Sequence, residues 1–287
     1  MQSTHARSVP APFSLAGKRA IVTGGSRGIG AAITRLLVDF GVDVCIGYRS
    51  RAAEADALAD AMRARGVRAI AVAADLGDAA GADHLVAEAV RVFGGVDLVI
   101  HSAGIWPPEE VPVHEMADDR WHRTMRENVN AMFYVSRAAA RVMGEGGRIV
   151  HISSTAGQRG ESFHADYAAS KGAMISFVKS QAIELARRGI TVNAVAPGWV
   201  DTEMCVLPFA NGGKARVEAG IPNGRVASPE DIAWAAVALC MPGARHIVGD
   251  PQRERRQRSA RLTVRRAVYR LKDASPAGAR PCAPRSR

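Results

Sequence analysis

Tyr167 and Lys171, four residues apart in Tyr167-Ala168-Ala169-Ser170-Lys171, are the pair with the most chemistry to offer. On a helix that spacing puts both side chains on one face, with Cβ atoms about 5–6 Å apart. A free phenol, pKa near ~10, is a poor acid–base catalyst at neutral pH. A neighbouring ammonium stabilises the phenolate and is expected to bring that value toward a useful range. Taken alone, the motif is better read as a surface pair. The preceding stretch, Arg148-Ile149-Val150-His151-Ile152-Ser153-Ser154, changes this reading. It has the pattern of a strand that ends in hydroxyls, and open α/β sheets bind ligands at such carboxyl edges. Ser154 precedes Tyr167 by thirteen residues, so a strand end and the next helix start bring the two hydroxyls together. One would hold a carbonyl oxygen while the phenol delivers a proton.

A second constellation lies near the amino terminus, in Thr23-Gly24-Gly25-Ser26-Arg27-Gly28-Ile29-Gly30. It follows a strand pattern and runs into a helix pattern. Glycines there allow a tight turn and bring backbone N–H groups against a pyrophosphate at a helix N-terminus. Gly24, Ser26, Arg27, Gly28, Ile29 and Gly30 are therefore candidate dinucleotide contacts, although such a turn also serves plain helix packing. The next strand ends in Tyr48-Arg49-Ser50, without the acid that holds a ribose 2′-hydroxyl in NAD sites. Arg49 and Arg27, with Ser50, are placed to meet a 2′-phosphate, which predicts NADPH over NADH.

These residues need an alternating scaffold, and the chain supplies one. Continuously apolar, β-branched runs predict strands at 19–23, 43–48, 67–73, 96–102, 148–153 and 191–196. Helix patterns fall between or after them at 28–40, 52–65, 81–93, 118–143, 167–188 and 229–240. Ser228-Pro229-Glu230-Asp231 reads as a capped helix start. Strict alternation predicts an α/β fold, a doubly wound parallel sheet of Rossmann type in one domain over 15–249. An N-terminal extension occupies 1–14 and a basic tail 250–287.

In this order and on these elements, the two motifs resemble the short-chain dehydrogenase/reductase family over about Leu15 to Gly249. The resemblance implies that Ser154, Tyr167 and Lys171 are catalytic, with Lys171 also on the nicotinamide ribose. It implies that Asn128, in Glu127-Asn128-Val129-Asn130, positions a water for proton relay. It places Asp75, before Leu76, on the adenine. It places Pro197, Gly198, Val200 and Thr202 around the nicotinamide carboxamide. One departure is His101-Ser102-Ala103-Gly104, where the family usually has Asn-Ala-Gly. Ser102 can supply one of the hydrogen bonds an asparagine makes, so a modest loss of stability or cofactor affinity is expected. His101 and His151 read as packed strand residues. The body looks most like the 3-oxoacyl-[acyl-carrier-protein] reductase branch, through Gly224-Arg225-Val226 and the capped helix start. The implied reaction is NADPH-dependent reduction of a 3-oxoacyl-thioester-like ketone. A sugar, polyol or steroid dehydrogenase and a non-catalytic dinucleotide-binding scaffold stay open. Trp106, Trp199, Met204 and Phe209 lie in loops near this site, either lining an apolar pocket or packing a lid.

Composition narrows the alternatives. The chain has 287 residues and is 47% hydrophobic, enough for one large α/β core. Its net charge of +10 suggests a polyanion partner until the charge is located. Residues 251–287 carry twelve Lys or Arg against two Asp or Glu, a surplus equal to the whole +10. The body is neutral, so neither nucleic acid nor a membrane surface is an expected partner. The four cysteines (45, 205, 240 and 282) form no CxxC pair, and no metal site is expected. A cytoplasmic, homo-oligomeric enzyme is the expectation. Past Gly249 the family's closing strand is replaced by Arg-, Ala- and Pro-rich sequence with the composition of a disordered tail. Read one base on, with CGN arginine codons, 249–257 can encode Val-Thr-Leu-Asn-Val-Asn-Gly-Gly, the family ending. A frameshift, and a missing or disrupted last edge strand that weakens assembly, is the expectation; a genuine divergent tail is the alternative.

Overall fold

The computed structural model describes residues 13–249 and the backbone of 251–253. The basic tail, Cys282, most of the N-terminal extension and the frameshift question lie outside the described residues. Strands β1 (Arg19–Thr23), β2 (Asp43–Tyr48), β3 (Ala69–Ala73), β4 (Leu98–His101), β5 (Arg148–Ile152) and β6 (Thr191–Ala196) form a parallel sheet with β7 (Pro251–Arg253). Its order is β3-β2-β1-β4-β5-β6-β7. The chain winds outward from β1 to one side, then restarts at β4 on the other, so the crevice opens between the ends of β1 and β4.

The expected missing or disrupted edge strand is found as a stub. Three residues, 251–253, pair with Ala194–Ala196 of β6. Proline lacks an N–H and is tolerated at a strand's first position, where Pro251 stands.

Both sheet faces are covered, which is why the strands read as unbroken apolar runs. Successive residues point to opposite sides. Ala20 and Val22 join one core with Ile33, Leu37 and Val237, whereas Ile21 joins the other with Leu85, Val135 and Val178. The first core lies under α1 (Gly28–Asp39), α2 (Ala52–Arg63) and the later α10 (Pro229–Cys240); the second lies under α3 (Ala79–Phe93) and helices α5 and α7, bounded below. Ser228 and Asp231 form the anticipated capping box on α10.

The helix predicted over 118–143 is divided. It runs as α4 (Asp118–Met125), a π-turn over Arg126–Asn130, and α5 (Ala131–Val142). After β5 come a one-turn helix, α6 (Ala156–Arg159), and the long α7 (Ala165–Ala186). The loop after β6 carries two short helices, α8 (Val206–Phe209) and α9 (Gly213–Ala219), where sequence patterning predicted none. No helix among the described residues is long and apolar enough to cross a membrane.

His101 and His151 face each other across β4 and β5 with ring centroids 5.8 Å apart, both fully buried. His101 Nδ1 pairs with the Thr23 hydroxyl at 3.0 Å. Burial, then each other's charge and that of Lys171, holds His101 well below the ordinary histidine range. Burial pushes His151 down to about 4, with Gln181 opposing. Both are neutral in the fold, whereas unfolded chains take up protons below pH ~6.5. Stability is therefore complete above pH ~6.5 and falls as the pH drops toward 4. His151 alone is expected to cost about 2 kcal/mol at pH 5. Urea melts at pH 7.5 and pH 5 check this; a His151→Gln chain should lose less on acidification than the parent.

Candidate active site

The strand β1 ends at Thr23, and the glycine turn carries the chain into α1. Close approach makes glycine obligatory at one position. A Cβ on Gly30 would lie 2.1 Å from the Gly24 carbonyl oxygen. The N-cap of α1 is Arg27, whose side chain makes no cap bond, and the first turn holds no acid. The leading N–H groups of this helix thus have no side-chain acceptor of their own, which suits a phosphate. The turn forms one end of a cleft of about 530 Å3 lined also by Tyr48, Arg49, Ser50, Ala74, Leu76, Ser102, Ala103, Gly104 and Thr202. Its volume and glycine-rich lining fit a dinucleotide.

The charged rim of this cleft is more crowded than the sequence suggested. Arg27 Nη1 donates to Glu203 Oε2 at 2.9 Å, and Arg51, which sequence reasoning overlooked, reaches the same oxygen at 3.0 Å. Arg49 pairs with Glu127. Asp75, expected on the adenine, accepts from Arg126 at 2.7 Å and from the Gly77 N–H at 3.0 Å. The Arg126 hydrogen bond holds its carboxyl below the usual range. Ala74 and Leu76 on either side line the cleft.

Ser102 does not inherit an asparagine's bonds: its hydroxyl has no hydrogen bond among the described residues. The bracing passes to Thr23, whose hydroxyl accepts the N–H groups of Ser102 and Ala103, each at 3.1 Å.

The cleft continues into a second cavity of about 210 Å3, lined by Ser154, Tyr167, Lys171, Pro197, Gly198, Trp199, Val200 and Thr202 among others. The structure thus brings together the residues singled out at the ends of β5 and β6 and the start of α7. The Ser154 hydroxyl accepts from the Ala156 N–H at 3.1 Å and lies close enough to the Tyr167 phenol to favour its ionised form. Lys171 Nζ lies 5.8 Å from the Tyr167 ring centre and donates to the Ile152 carbonyl at 2.9 Å. The register of α7 against β5 is fixed by Ser153, which donates to the Lys171 carbonyl at 3.0 Å. Gly157 lets α6 pack closely on α7, since a Cβ there would meet the Lys171 carbonyl carbon at 2.5 Å.

One expectation needs correction. Lys171 was expected to acidify the phenol, yet burial pushes Tyr167 up, against the Ser154 hydroxyl, with Glu161 and Cys205 adding to the rise. The ammonium's charge is turned to a carbonyl, not to the phenol oxygen. Burial brings Lys171 down to about 8.

Asn128 sits in the π-turn, fully buried. The extra residue of a π-turn re-aims side chains, and such turns recur at functional sites. Its Oδ1 accepts the Ile105 N–H at 2.7 Å, and its Nδ2 donates to the Ile105 carbonyl at 3.0 Å and the Ser170 hydroxyl at 2.9 Å. Both amide hydrogens are spent on protein, and only a lone pair of Oδ1 is left for a water. A Cβ on Gly104 would lie 2.9 Å from that Oδ1 and 3.5 Å from Lys171 Nζ.

Behind Tyr167, the fully buried Asp166 accepts from Thr124 at 2.7 Å and from Arg120 Nε at 3.2 Å. Burial raises its carboxyl, but these hydrogen bonds outweigh that and hold it low. This pair ties α4 to α7 and escaped sequence reading.

Trp106, Trp199 and Met204 line the second cavity, and Phe209 packs on Trp199 with ring centres 5.7 Å apart. Among the described residues no group of His, Cys, Asp and Glu could hold a metal ion.

Comparison with known proteins agrees with this geometry. A family model described as enoyl-(acyl carrier protein) reductase matches residues 24–251. Versicolorin reductase 1 of Aspergillus parasiticus is 40% identical over 219 residues, covering 76% of this chain and 80% of that protein. The 3-oxoacyl-[acyl-carrier-protein] reductase of Vibrio harveyi is 34% identical over 240 residues, covering 83% and 96%. A solved short-chain dehydrogenase from Burkholderia cenocepacia, in complex with NADP, is 38% identical, with a TM-score of 0.77 over 82% of this chain and 95% of that one.

Proposed function

Since the chain belongs to the short-chain dehydrogenase/reductase family of NAD(P)-dependent oxidoreductases, we propose that it reduces a ketone to a secondary alcohol with NADPH, Tyr167 acting as the general acid. The observation that carries this reading is that Ser154, Tyr167 and Lys171 line one cavity continuous with the glycine cleft. When bound along that cleft, the nicotinamide supplies the hydride. The chain's own residues do the rest. Ser154 and Tyr167 bracket the carbonyl oxygen, and their donors stabilise the developing alkoxide by several kcal/mol in order of magnitude. A buried phenol that holds its proton is the acid form that reduction requires. Lys171 lies below it, with Asn128 bracing the Ile105 loop at its side. The resemblance to relatives that reduce 3-oxoacyl thioesters makes such thioesters one substrate class to test, alongside cyclic ketones.

Turnover of a ketone panel with NADPH and NADH tests this directly. NADPH oxidation with a matching alcohol product is expected; NADPH bound without oxidation across the panel refutes it and leaves a binding scaffold. Arg27 and Arg51 converge on Glu203 at the cleft rim, where a 2′-phosphate would be a competing anion for both guanidinium groups. Arg27→Ala and Arg51→Ala are each expected to raise the NADPH KM roughly tenfold or more, with little change for NADH. Equal changes for both cofactors would remove the phosphate role.

Lys171 sets a pH limit. With its value brought to about 8, it is charged below that pH and neutral above. Ketone reduction is expected to decline above pH ~8, and Lys171→Arg, which keeps its charge, should move the decline upward. A kcat profile unchanged by that substitution would exclude the role.

The reading includes a cytoplasmic homo-oligomer. Phe133 on α5 and Ile183 on α7 are exposed apolar residues on neighbouring helices, and 78% of the Ile183 surface is open. Mass photometry reads the assembly.

A further inference from the structure

Glu161 is the acidic side chain lining the cavity that holds Ser154 and Tyr167, and nothing in the reaction described above uses it. It stands in the turn between α6 and α7, whose Phe163 is held in the left-handed region at φ 64°. A bulky residue there costs free energy and persists only where the surroundings fix it; here the Phe163 carbonyl accepts the Val111 N–H at 3.0 Å. Glu161 is oriented from the pocket side. The Trp106 indole Nε1 donates to its Oε1 at 3.2 Å, and His164 Nδ1 lies 3.8 Å from the same oxygen. Its Oε2 has no hydrogen-bond partner among the described residues. The carboxylate is thus half-buried, aimed by an indole, and left with one acceptor oxygen for a donor.

The walls around it are rings. His164 stacks on Trp106 at 4.6 Å, with the planes 18° apart, and Trp106 meets Trp199 edge-on at 6.2 Å. Phe209 continues the row beyond Trp199. Such a wall rewards a flat, polarisable ligand, which loses little freedom on docking, more than a flexible acyl chain. A carboxylate with one oxygen unengaged, on a wall it shares with Arg159, rewards a ligand that carries a hydrogen-bond donor over one that does not.

Resting on the ketone-reductase reading above, we infer that Glu161 is a specificity-determining residue, and that the preferred substrate is a planar aromatic ketone bearing a hydroxyl group. The ketone oxygen lies between Ser154 and Tyr167, the ring against Trp106 and Trp199, and the hydroxyl donates to Glu161 Oε2. The hydroxyl is not consumed, and the redox balance is that of ketone reduction alone.

The test compares 1-tetralone, its monohydroxylated isomers and acetoacetyl-coenzyme A as substrates with NADPH. At least one hydroxylated tetralone is expected to exceed 1-tetralone in kcat/KM by about tenfold, with the flexible thioester lowest. Glu161→Ala should bring that ratio close to one, and Glu161→Gln, which keeps an acceptor oxygen, should restore part of it. A ratio is read within each protein, so a general loss of activity does not obscure it. Tryptophan fluorescence of the parent chain, titrated with each tetralone in the presence of NADP+, gives the same comparison without turnover. Ketone reduction with no preference for the hydroxylated ring, or a preference that survives Glu161→Ala, overturns the role of Glu161 and leaves the reductase reading intact. Acetoacetyl-coenzyme A as the best substrate overturns the aromatic class. If no ketone is reduced while NADPH binds, the reductase reading falls, and the titration alone decides whether Glu161 recognises the hydroxylated ring.

Discussion

Tyr167→Phe is expected to lower ketone reduction by roughly 100- to 10,000-fold, the usual worth of a positioned general acid, while NADPH binding stays near the parental level. The change deletes one oxygen. The ring remains beside Ser154 and 5.8 Å from Lys171 Nζ, so the cavity keeps its shape. What is lost is the proton that burial keeps on the phenol at neutral pH. Steady-state rates with equilibrium fluorescence titration of NADPH separate the two effects. A phenylalanine variant with near-parental kcat would remove Tyr167 from the chemistry, whatever its place in the family pattern.

Arg120→Ala is expected to be the most destabilising single change in the site region. It strands the Asp166 carboxylate, fully buried, with Thr124 as its remaining side-chain donor. Removing one partner of a buried ion pair costs about 3–5 kcal/mol, a fall in Tm of the order of 10 °C for a domain of this size. Because Arg120 also donates to the Glu109 carbonyl at 2.7 Å, the loop before α4 should loosen as well. The double variant Arg120→Ala with Asp166→Asn discharges the stranded acid and should recover part of the loss. Differential scanning calorimetry of the three chains reads this. Additive losses in the double variant would show that the charge pairing carries no stability.

The elements that position the site were legible in the sequence to different degrees, for physical reasons. Strands β1, β2 and β6 begin and end where their patterns predicted, because both faces are buried and each strand reads as a nearly continuous apolar run. The α4–α5 run read as one helix because a π-turn leaves the apolar periodicity almost intact. Only its consequence, the inward turn of Asn128, shows that it is there. The segment holding α8 and α9 has short helices of mixed polarity, and periodicity cannot resolve four to seven residues.

The same division runs through the site. Gly24 to Gly30, Ser154, Tyr167 and Lys171 carried their meaning in local spacing, since neighbouring elements bring them together. Arg51, Thr23, Arg120, Asp166 and Glu161 did not. Their long-range side-chain partners lie 42 to 152 residues away, and no motif records such pairs. The error over the tyrosine has the same origin. Spacing placed Lys171 on the right helix face, but only the fold shows its ammonium committed to the Ile152 carbonyl.

The central claim is that this cleft delivers a hydride to a ketone whose oxygen Tyr167 protonates. NADPH carrying deuterium at the nicotinamide C4 tests it most directly, with mass spectrometry of the alcohol formed from the best ketone of the panel. One deuterium on the carbinol carbon, formed at a rate that collapses in Tyr167→Phe, is the result expected. An alcohol without label, or labelled alcohol formed equally fast by the phenylalanine chain, would contradict it.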